Sequence, residues 1–481
     1  MASVKRNLFY NVLLNVSKVI FPLITAPYVT RVLDADDLGL ANFANTYAGY
    51  FALVAVLGVP FYGLREIAKV RDNKQQTNRL FNELFSIAII NTIFICTIYI
   101  ISIFLIGQLR SDYIVFLITG IVLYCSPFTI DWLYGGLENY KIITIRSLII
   151  KILSISSLFI FVRDKNDFIV FLFINGFTLV ANDIWNFILL YRQGYKIGFT
   201  LTGIKKHLKP LLILFSSTIA ASIYTVLDTI MLGFMSAYTE VAYYTYAMHM
   251  IKAILAAVTS LAAVAVPRIS YYIKRKQYQE INTLVNKSFS LVSFFSFPIC
   301  VGIILISPTF IPLFLGSQFY GSVLPIQILS LILIFIGLNN LFAVQCLVGL
   351  GYDKLFLYSI LVGTFTNFLL NLILIPNYGA VGASIASSVA EFFVLSASFY
   401  MVVKYTPIHL TLKKEFVQTI LGVVLMAIEY FFMRPFFDGW ILTIVFMILA
   451  YTTYALFQYM VRNQTAMTLI DLVTNNFKHN E

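Results

Sequence analysis

The residues with chemistry to offer are a few charges set inside apolar runs. In "TYAMHMIKAILAAV", Thr245 to Val258, His249 and Lys252 stand three residues apart and share one helix face. Lys18 and Lys151 each lie near the centre of another such run. An ionisable side chain deep in a membrane helix is costly, so it faces a cavity or a partner and is a functional candidate by default. Lys252 is about 12 residues from either end of its run, roughly 18 Å at 1.5 Å per residue, which is further than a lysine can snorkel. Three cations at that depth suit an anionic ligand in one aqueous cavity. The competing role is ion pairing with acids inside the runs: Asp131, Asp183, Asp228, Glu391 and Glu429.

Asp131, Asp228 and Glu391 are assigned as coupling-ion, proton or counter-ion residues. Arg146 lies one turn inside its run, where it either joins the ligand cavity or reaches the cytoplasmic interface. It is five residues from Lys151, about 140° around a helix, so the two do not share a tight stripe. Arg31, at the outer end of the first run, is a candidate for guiding the ligand at an entrance. His249 titrates near neutral pH when unperturbed, and its other role is structural. Pro22 and Pro27 each remove a backbone hydrogen bond from the first helix, which suits a gate or a static kink. Tyr224, Tyr243, Tyr244 and Tyr246 can stack on sugars or form an interfacial belt.

The elements that position these residues are membrane helices. Hydrophobic residues make up 60% of the 481 and charged residues 11%, with a mean hydropathy of +0.86, against about 25% charged in soluble domains. About fourteen runs are long enough to span a bilayer: 8–30, 39–61, 81–107, 113–136, 142–162, 167–190, 211–234, 240–267, 284–307, 322–350, 355–376, 379–401, 415–434 and 440–461. The N-terminal run carries Lys18 and no small-residue cleavage site, so it is a retained helix and not a signal peptide. With the N-terminus inside, 24 Lys and Arg fall in inner segments, 5 in outer segments and four within helices. That bias places both termini in the cytoplasm. It also accounts for the net charge of +11, which complements anionic lipid headgroups and not nucleic acid.

Cys96, Cys125, Cys300 and Cys346 each lie in an apolar run without metal-ligand spacing, as small core residues do. No P-loop GxxxxGK[ST] is present, so ATP hydrolysis is not expected. The longest outer connection, around 308–321, is short for the acid/base groups of a membrane glycosyltransferase. The chain is therefore expected not to be an enzyme.

An internal repeat organises the helices. "DDLGLANFANTYAGYFALVAVLGVPFYGLREIAKV" and "TEVAYYTYAMHMIKAILAAVTSLAAVAVPRISYYIKRK" each run from an acid through a helix to a proline, Pro60 or Pro267, and a basic loop. "WLYGGLENYKIITI" and "CLVGLGYDKLFLYSI" pair Gly135 with Gly349 and Asn139 with Asp353. The expected fold is all-α and polytopic: two pseudo-symmetric six-helix lobes, 1–195 and 196–405, plus two C-terminal helices in 406–481. Six spans return the chain to the same side, so the halves are parallel repeats with the ligand site at their interface.

"PLITAPYVTRVLDADDLGLANFANTYAGYFALVAVLGVPFYGLREIAKVRD", Pro22 to Asp72, resembles the opening of the polysaccharide-transporter family. These are the Wzx-type oligosaccharide flippases of the multidrug/oligosaccharidyl-lipid/polysaccharide exporter superfamily. "LDTIMLG" and "LIPNYGAVGASIAS" are similar to that family too, and the resemblance covers most of residues 1–400. One departure is Asp34 in "VLDAD", where relatives usually carry glycine. The resemblance implies two lobes, alternating access and a lipid-diphosphate-linked oligosaccharide as cargo. Lys18, Arg31, Arg146, Lys151, Lys252 and His249 then become the candidate diphosphate and glycan contacts. The expected protein is a monomeric flippase in a bacterial plasma membrane. It would work with membrane lipids, the polymerase or ligase of its pathway, and Na+ or H+ as coupling ion. The rival readings are a cation-coupled multidrug exporter of the same superfamily and a membrane polysaccharide polymerase or ligase.

Overall fold

The structure is a computed structural model that describes residues 4–263, 269, 271–272, 275, 277–408 and 414–478. Pro267 and the side chain of Tyr224 lie outside the described part. Among the described residues every regular element is helical. That is the outcome hydrocarbon demands, because a helix satisfies its own backbone donors and acceptors without water. Large apolar side chains face outward along these helices, as with Phe94, Leu105, Phe177 and Phe432. In water such a surface would aggregate; against lipid it costs nothing. The protein is a multi-pass membrane protein.

Eleven described helices are long and apolar enough to cross a membrane, or up to twelve if a bent pair forms one span. The bent pair is Ala35–Ala55 with Val59–Val70, turned by 43° at Leu57 and Gly58, both in the left-handed region. About fourteen were expected, and the difference has two sources. Asp353–Tyr405 runs for 53 residues, roughly 80 Å at 1.5 Å per residue, far more than the hydrocarbon thickness of about 30 Å. It is two helices meeting at Gly379 (φ 50, ψ −127), where the expected spans 355–376 and 379–401 adjoin. In Lys205–Met235 the side chains of 217–225 lie outside the described part, and the described remainder includes Val226–Met235 as a shorter apolar helix.

One local expectation is corrected, and one departure from the family pattern is accounted for. The stretch 308–321 is not an open connection: Tyr278–Leu315 continues through Pro298, Pro308 and Pro312. Membrane helices tolerate proline because neighbouring groups take up the freed carbonyls. Asp34 does not disturb the turn after the first helix. It sits at φ −68, ψ 148 as the N-cap of Ala35–Ala55, a conformation that needs no glycine.

The chain divides into two compact units, Met1–Ala242 and Tyr243–Glu481. In the first, Val59–Val70 packs closely on Asp131–Gly136. Gly136 allows this, since a Cβ there would lie 2.7 Å from Ile67 Cγ2. Trp132 stacks on Phe81 and Phe81 on Phe85 in the same cluster. Lys205–Met235 lies against Ala35–Ala55 within this unit. In the second unit Tyr278–Leu315 packs against Lys414–Met433, Gly439–Met460 and Leu331–Asn339. Gln418, Gln458 and Asn463 form a buried polar seam that ties the last two long helices together at one end.

Gly379 carries a fold-level prediction. Only glycine occupies φ 50, ψ −127 comfortably, so Gly379→Val should cost about 1–3 kcal/mol. A lowered unfolding midpoint of the detergent-solubilised protein would report it; an unchanged midpoint would mean that the turn is not held in that conformation.

Candidate functional site

Lys18 and Lys151 are brought together by two parallel helices, Val4–Val32 and Tyr140–Phe161. Three polar contacts join these helices at one constant offset of 134 residues. Thr144 Oγ1 donates to the Tyr10 carbonyl (2.9 Å), Lys151 Nζ to Ser17 Oγ (3.1 Å), and Tyr28 Oη to the Val162 carbonyl (2.6 Å). A fixed offset means that the helices run side by side in the same direction without slipping. Lys151 also sits 5.2 Å from the centre of the Phe21 ring. Ser17 is buried, and Lys18 beside it is exposed and is the charged neighbour that Lys151 feels. Neither lysine has a carboxylate partner among the described residues. Like charges on neighbouring helices repel, and an anion beside them would relieve that cost.

Pro22 and Pro27 lie inside the same first helix, which continues through both. Their missing N–H groups leave the carbonyls of Lys18 and Leu23 without an intrahelical donor. Thr25 Oγ1 donates to the nearby Phe21 carbonyl at 3.2 Å. Arg31 ends this helix as a basic residue in the last turn and is exposed.

Arg146 does not reach the interface. It is 2% exposed and bonded on all sides. Its Nη2 donates to Asp131 Oδ1 at 2.9 Å, its Nε to Asn182 Oδ1 at 3.0 Å, and its Nη1 to Asn186 Oδ1. Asn186 Nδ2 closes the ring onto Asp131 Oδ1 at 3.0 Å. Thr129 Oγ1 donates to the buried Asp183 (3.2 Å), and Tyr134 Oη to the Asn186 carbonyl (2.8 Å). Arg146 faces Phe168–Arg192 while Lys151 faces the first helix, as their angular separation requires. Asn182 and Asn186 were not singled out in the sequence. The available signal was "NDIWN", three polar residues on one side of an apolar helix.

In the second unit His249 and Lys252 present a common exposed face with Ala256, while Ile251 and Val258 are buried. The tyrosines near them are committed to packing. Tyr243 Oη donates to the Gln318 carbonyl (3.0 Å), Tyr244 Oη meets Ser387 Oγ (3.0 Å), and Tyr246 stacks edge-on with Phe319 and His249. Glu391 is buried in this unit. Asp228 is buried in the first unit, where Tyr50 feels its charge. No group of three or more His, Cys, Asp or Glu is placed to hold a metal ion among the described residues.

Residues 4–273 match the family described as polysaccharide biosynthesis protein. The chain belongs to that family. It is 24% identical over 402 residues to a protein of Escherichia coli (strain K12) named "Putative O-antigen transporter", covering 82% of this chain and 95% of that one. A protein of the same name from Shigella dysenteriae is 23% identical over 386 residues, covering 79% and 96%. Among solved structures, the fold is similar to lipid II flippase MurJ in an inward closed conformation (TM-score 0.75, 17% identity, 95% of this chain and 99% of that chain). It is also similar to an inward-facing multidrug resistance MATE transporter of the MOP superfamily (TM-score 0.58, 12% identity, 85% and 94%). These proteins are transporters and flippases by name, and none is named as an enzyme.

The arginine node yields an asymmetric prediction. Asp131 is 42% exposed on its side chain and Arg146 only 2%. Asp131→Ala strands a buried guanidinium and should cost about 3 kcal/mol. Arg146→Met leaves a carboxylate that water can reach and should cost clearly less. Thermal unfolding of the two variants side by side measures the difference, and equal losses would contradict it.

Proposed function

We propose that the chain is a flippase that moves undecaprenyl-diphosphate-linked oligosaccharide repeat units from the inner to the outer leaflet. The repeat unit would be the precursor of a surface polysaccharide: capsule, O-antigen, teichoic acid or exopolysaccharide. The observation that carries this reading is membership of the polysaccharide biosynthesis family, together with a fold shared over almost the whole chain with a protein named as a lipid II flippase.

The cargo headgroup concentrates negative charge and needs cationic donors. Lys252 with His249 on one exposed face, and Lys18 with Lys151 on one helix pair, are the donors we assign to it. Arg31 guides the headgroup at the outer end of the first helix. Arg146, bound to Asp131, acts by holding the Lys151 helix in place more than by direct contact. Asp228 and Glu391 serve as coupling-ion or counter-ion residues, with Na+ or H+ as the ion. In this reading the halves 1–195 and 196–405 alternate access about the site, with 406–481 appended and both termini cytoplasmic. The first helix bends at Pro22 and Pro27 to gate it. The fold is also that of multidrug exporters, but cationic drugs call for a cavity of acids, whereas the exposed centres here are lysines.

Lys252→Ala and Lys252→Glu should each cut translocation at least about tenfold at normal protein level, the loss of one charge-assisted contact. Lys252→Arg should retain most of it. Translocation is read as lipid-linked oligosaccharide reaching the outer leaflet, with the intermediate accumulating inside depleted cells. Survival of transport in both variants would remove Lys252 from the site, and a depleted cell without that intermediate would remove the flippase reading.

A further inference from the structure

The connection between Phe168–Arg192 and Lys205–Met235 is an extended strap zipped onto the side of a helix. Lys74, Asn78, Asn82 and Ser86 recur every four residues along Lys74–Leu105, so they form one ladder on one face. Lys74 Nζ donates to the Gln193 carbonyl (2.6 Å). The backbone N–H groups of Lys196, Gly198 and Thr200 then donate in turn to Asn78 Oδ1 (2.8 Å), Asn82 Oδ1 (3.0 Å) and Ser86 Oγ (2.9 Å). Asn82 Nδ2 returns a bond to the Lys196 carbonyl (3.0 Å). The match is metric. Two residues of extended chain advance about 6.6 Å, and four residues of helix about 6.0 Å.

The strap ends by delivering the base of the next helix onto a buried carboxylate. Glu83, 2% exposed on its side chain, takes Lys206 Nζ at 2.7 Å, His207 Nε2 at 2.9 Å and Arg79 Nε at 3.0 Å. Tyr62 Oη meets His207 Nδ1 at 2.9 Å from Val59–Val70. Three helices thus meet around Glu83 and the histidine it holds. Glycines bracket the zipper, Gly194 at φ 73 and Gly203 at φ 82, where the chain can absorb a change of direction. An open polar cavity of about 760 Å3 runs alongside, lined by Lys74, Asn78, Arg79, Asn82 and Lys196 among others. Water in it can replace each ladder bond, which makes the zipper weak bond by bond and able to reopen.

We propose that this strap and Glu83 form a latch. Asn78, Asn82, Ser86 and Glu83 are positioning residues that hold the base of Lys205–Met235 against Val59–Val70 and Lys74–Leu105, and the latch opens in each transport cycle to admit a cargo headgroup from the cytoplasm. The inference rests on the flippase reading for its purpose, and its geometry stands apart from it.

The test uses the full chain in proteoliposomes, with its four cysteines replaced and spin labels at Gln76 and Lys209, both exposed. With the latch intact one short distance class should dominate. Asn78→Ala with Asn82→Ala should raise the longer class at least about tenfold, the shift expected from losing the ladder's central bonds. An unchanged distance distribution would overturn the latch. A second variant joins Asn82→Cys to Gly198→Cys, since a Cβ at Gly198 would lie 3.6 Å from Asn82 Nδ2. Its disulfide should abolish transport, and reductant should restore it; transport that continues with the disulfide formed would show a static anchor instead. The label distances need no cargo. A protein that visits both distance classes yet moves no lipid-linked oligosaccharide would support the latch and fault the flippase reading.

Discussion

An unpaired polar group in hydrocarbon has no water to turn to, and that single cost shapes this protein from end to end. It makes every described element a helix. It closes Arg146 into a ring with Asp131, Asn182 and Asn186, since a guanidinium buried to 2% exposure must have all its donors answered. It ties the polar ends of the last two long helices through Gln418, Gln458 and Asn463. Where the chain leaves the helical pattern, as in the strap 193–204, side chains of a neighbouring helix supply the missing partners.

The same cost separates structural charges from available ones. Arg146 and Asp131 neutralise each other and fix the Tyr140–Phe161 helix against Phe168–Arg192. Along that same helix Lys151 turns to a serine and a phenylalanine ring, with Lys18 next to that serine and no carboxylate ion pair to either lysine among the described residues. A helix pair in constant register, clamped on one flank by an ion pair and carrying two cations on the other, is the rigid mount that the proposed anion site would need. Transport needs such mounts to stay rigid while something else moves. The polar strap beside an open cavity is built in the opposite way, from single hydrogen bonds to a neighbouring helix that water could exchange.

Much of this was legible in the sequence. Hydropathy alone set the class and the place of most spans, because a bilayer imposes a minimum length on every crossing helix. The boundary between the expected spans 355–376 and 379–401 coincides with the break that the backbone shows at Gly379. Lys18, Lys151 and Lys252 stood out because charge in an apolar run is rare. The expected connection at 308–321 is instead largely helix, Tyr278–Leu315 running on through Pro308 and Pro312, because proline in a membrane helix is tolerated where neighbouring groups supply partners. The asparagines at 78, 82, 182 and 186 carried a weak signal, being neutral and common near helix ends.

By itself the sequence determined that this is an all-helical membrane protein of the polysaccharide biosynthesis family with cations set inside its apolar runs. Composition and local pattern carry that information, and a helix in lipid needs nothing from its neighbours to form. Which charges pair was decided only in three dimensions. Arg146 finds its partners 15, 36 and 40 residues away, and Lys151 finds Ser17 at 134. Pairing is a matter of angle and register between helices, and a single chain of letters records neither.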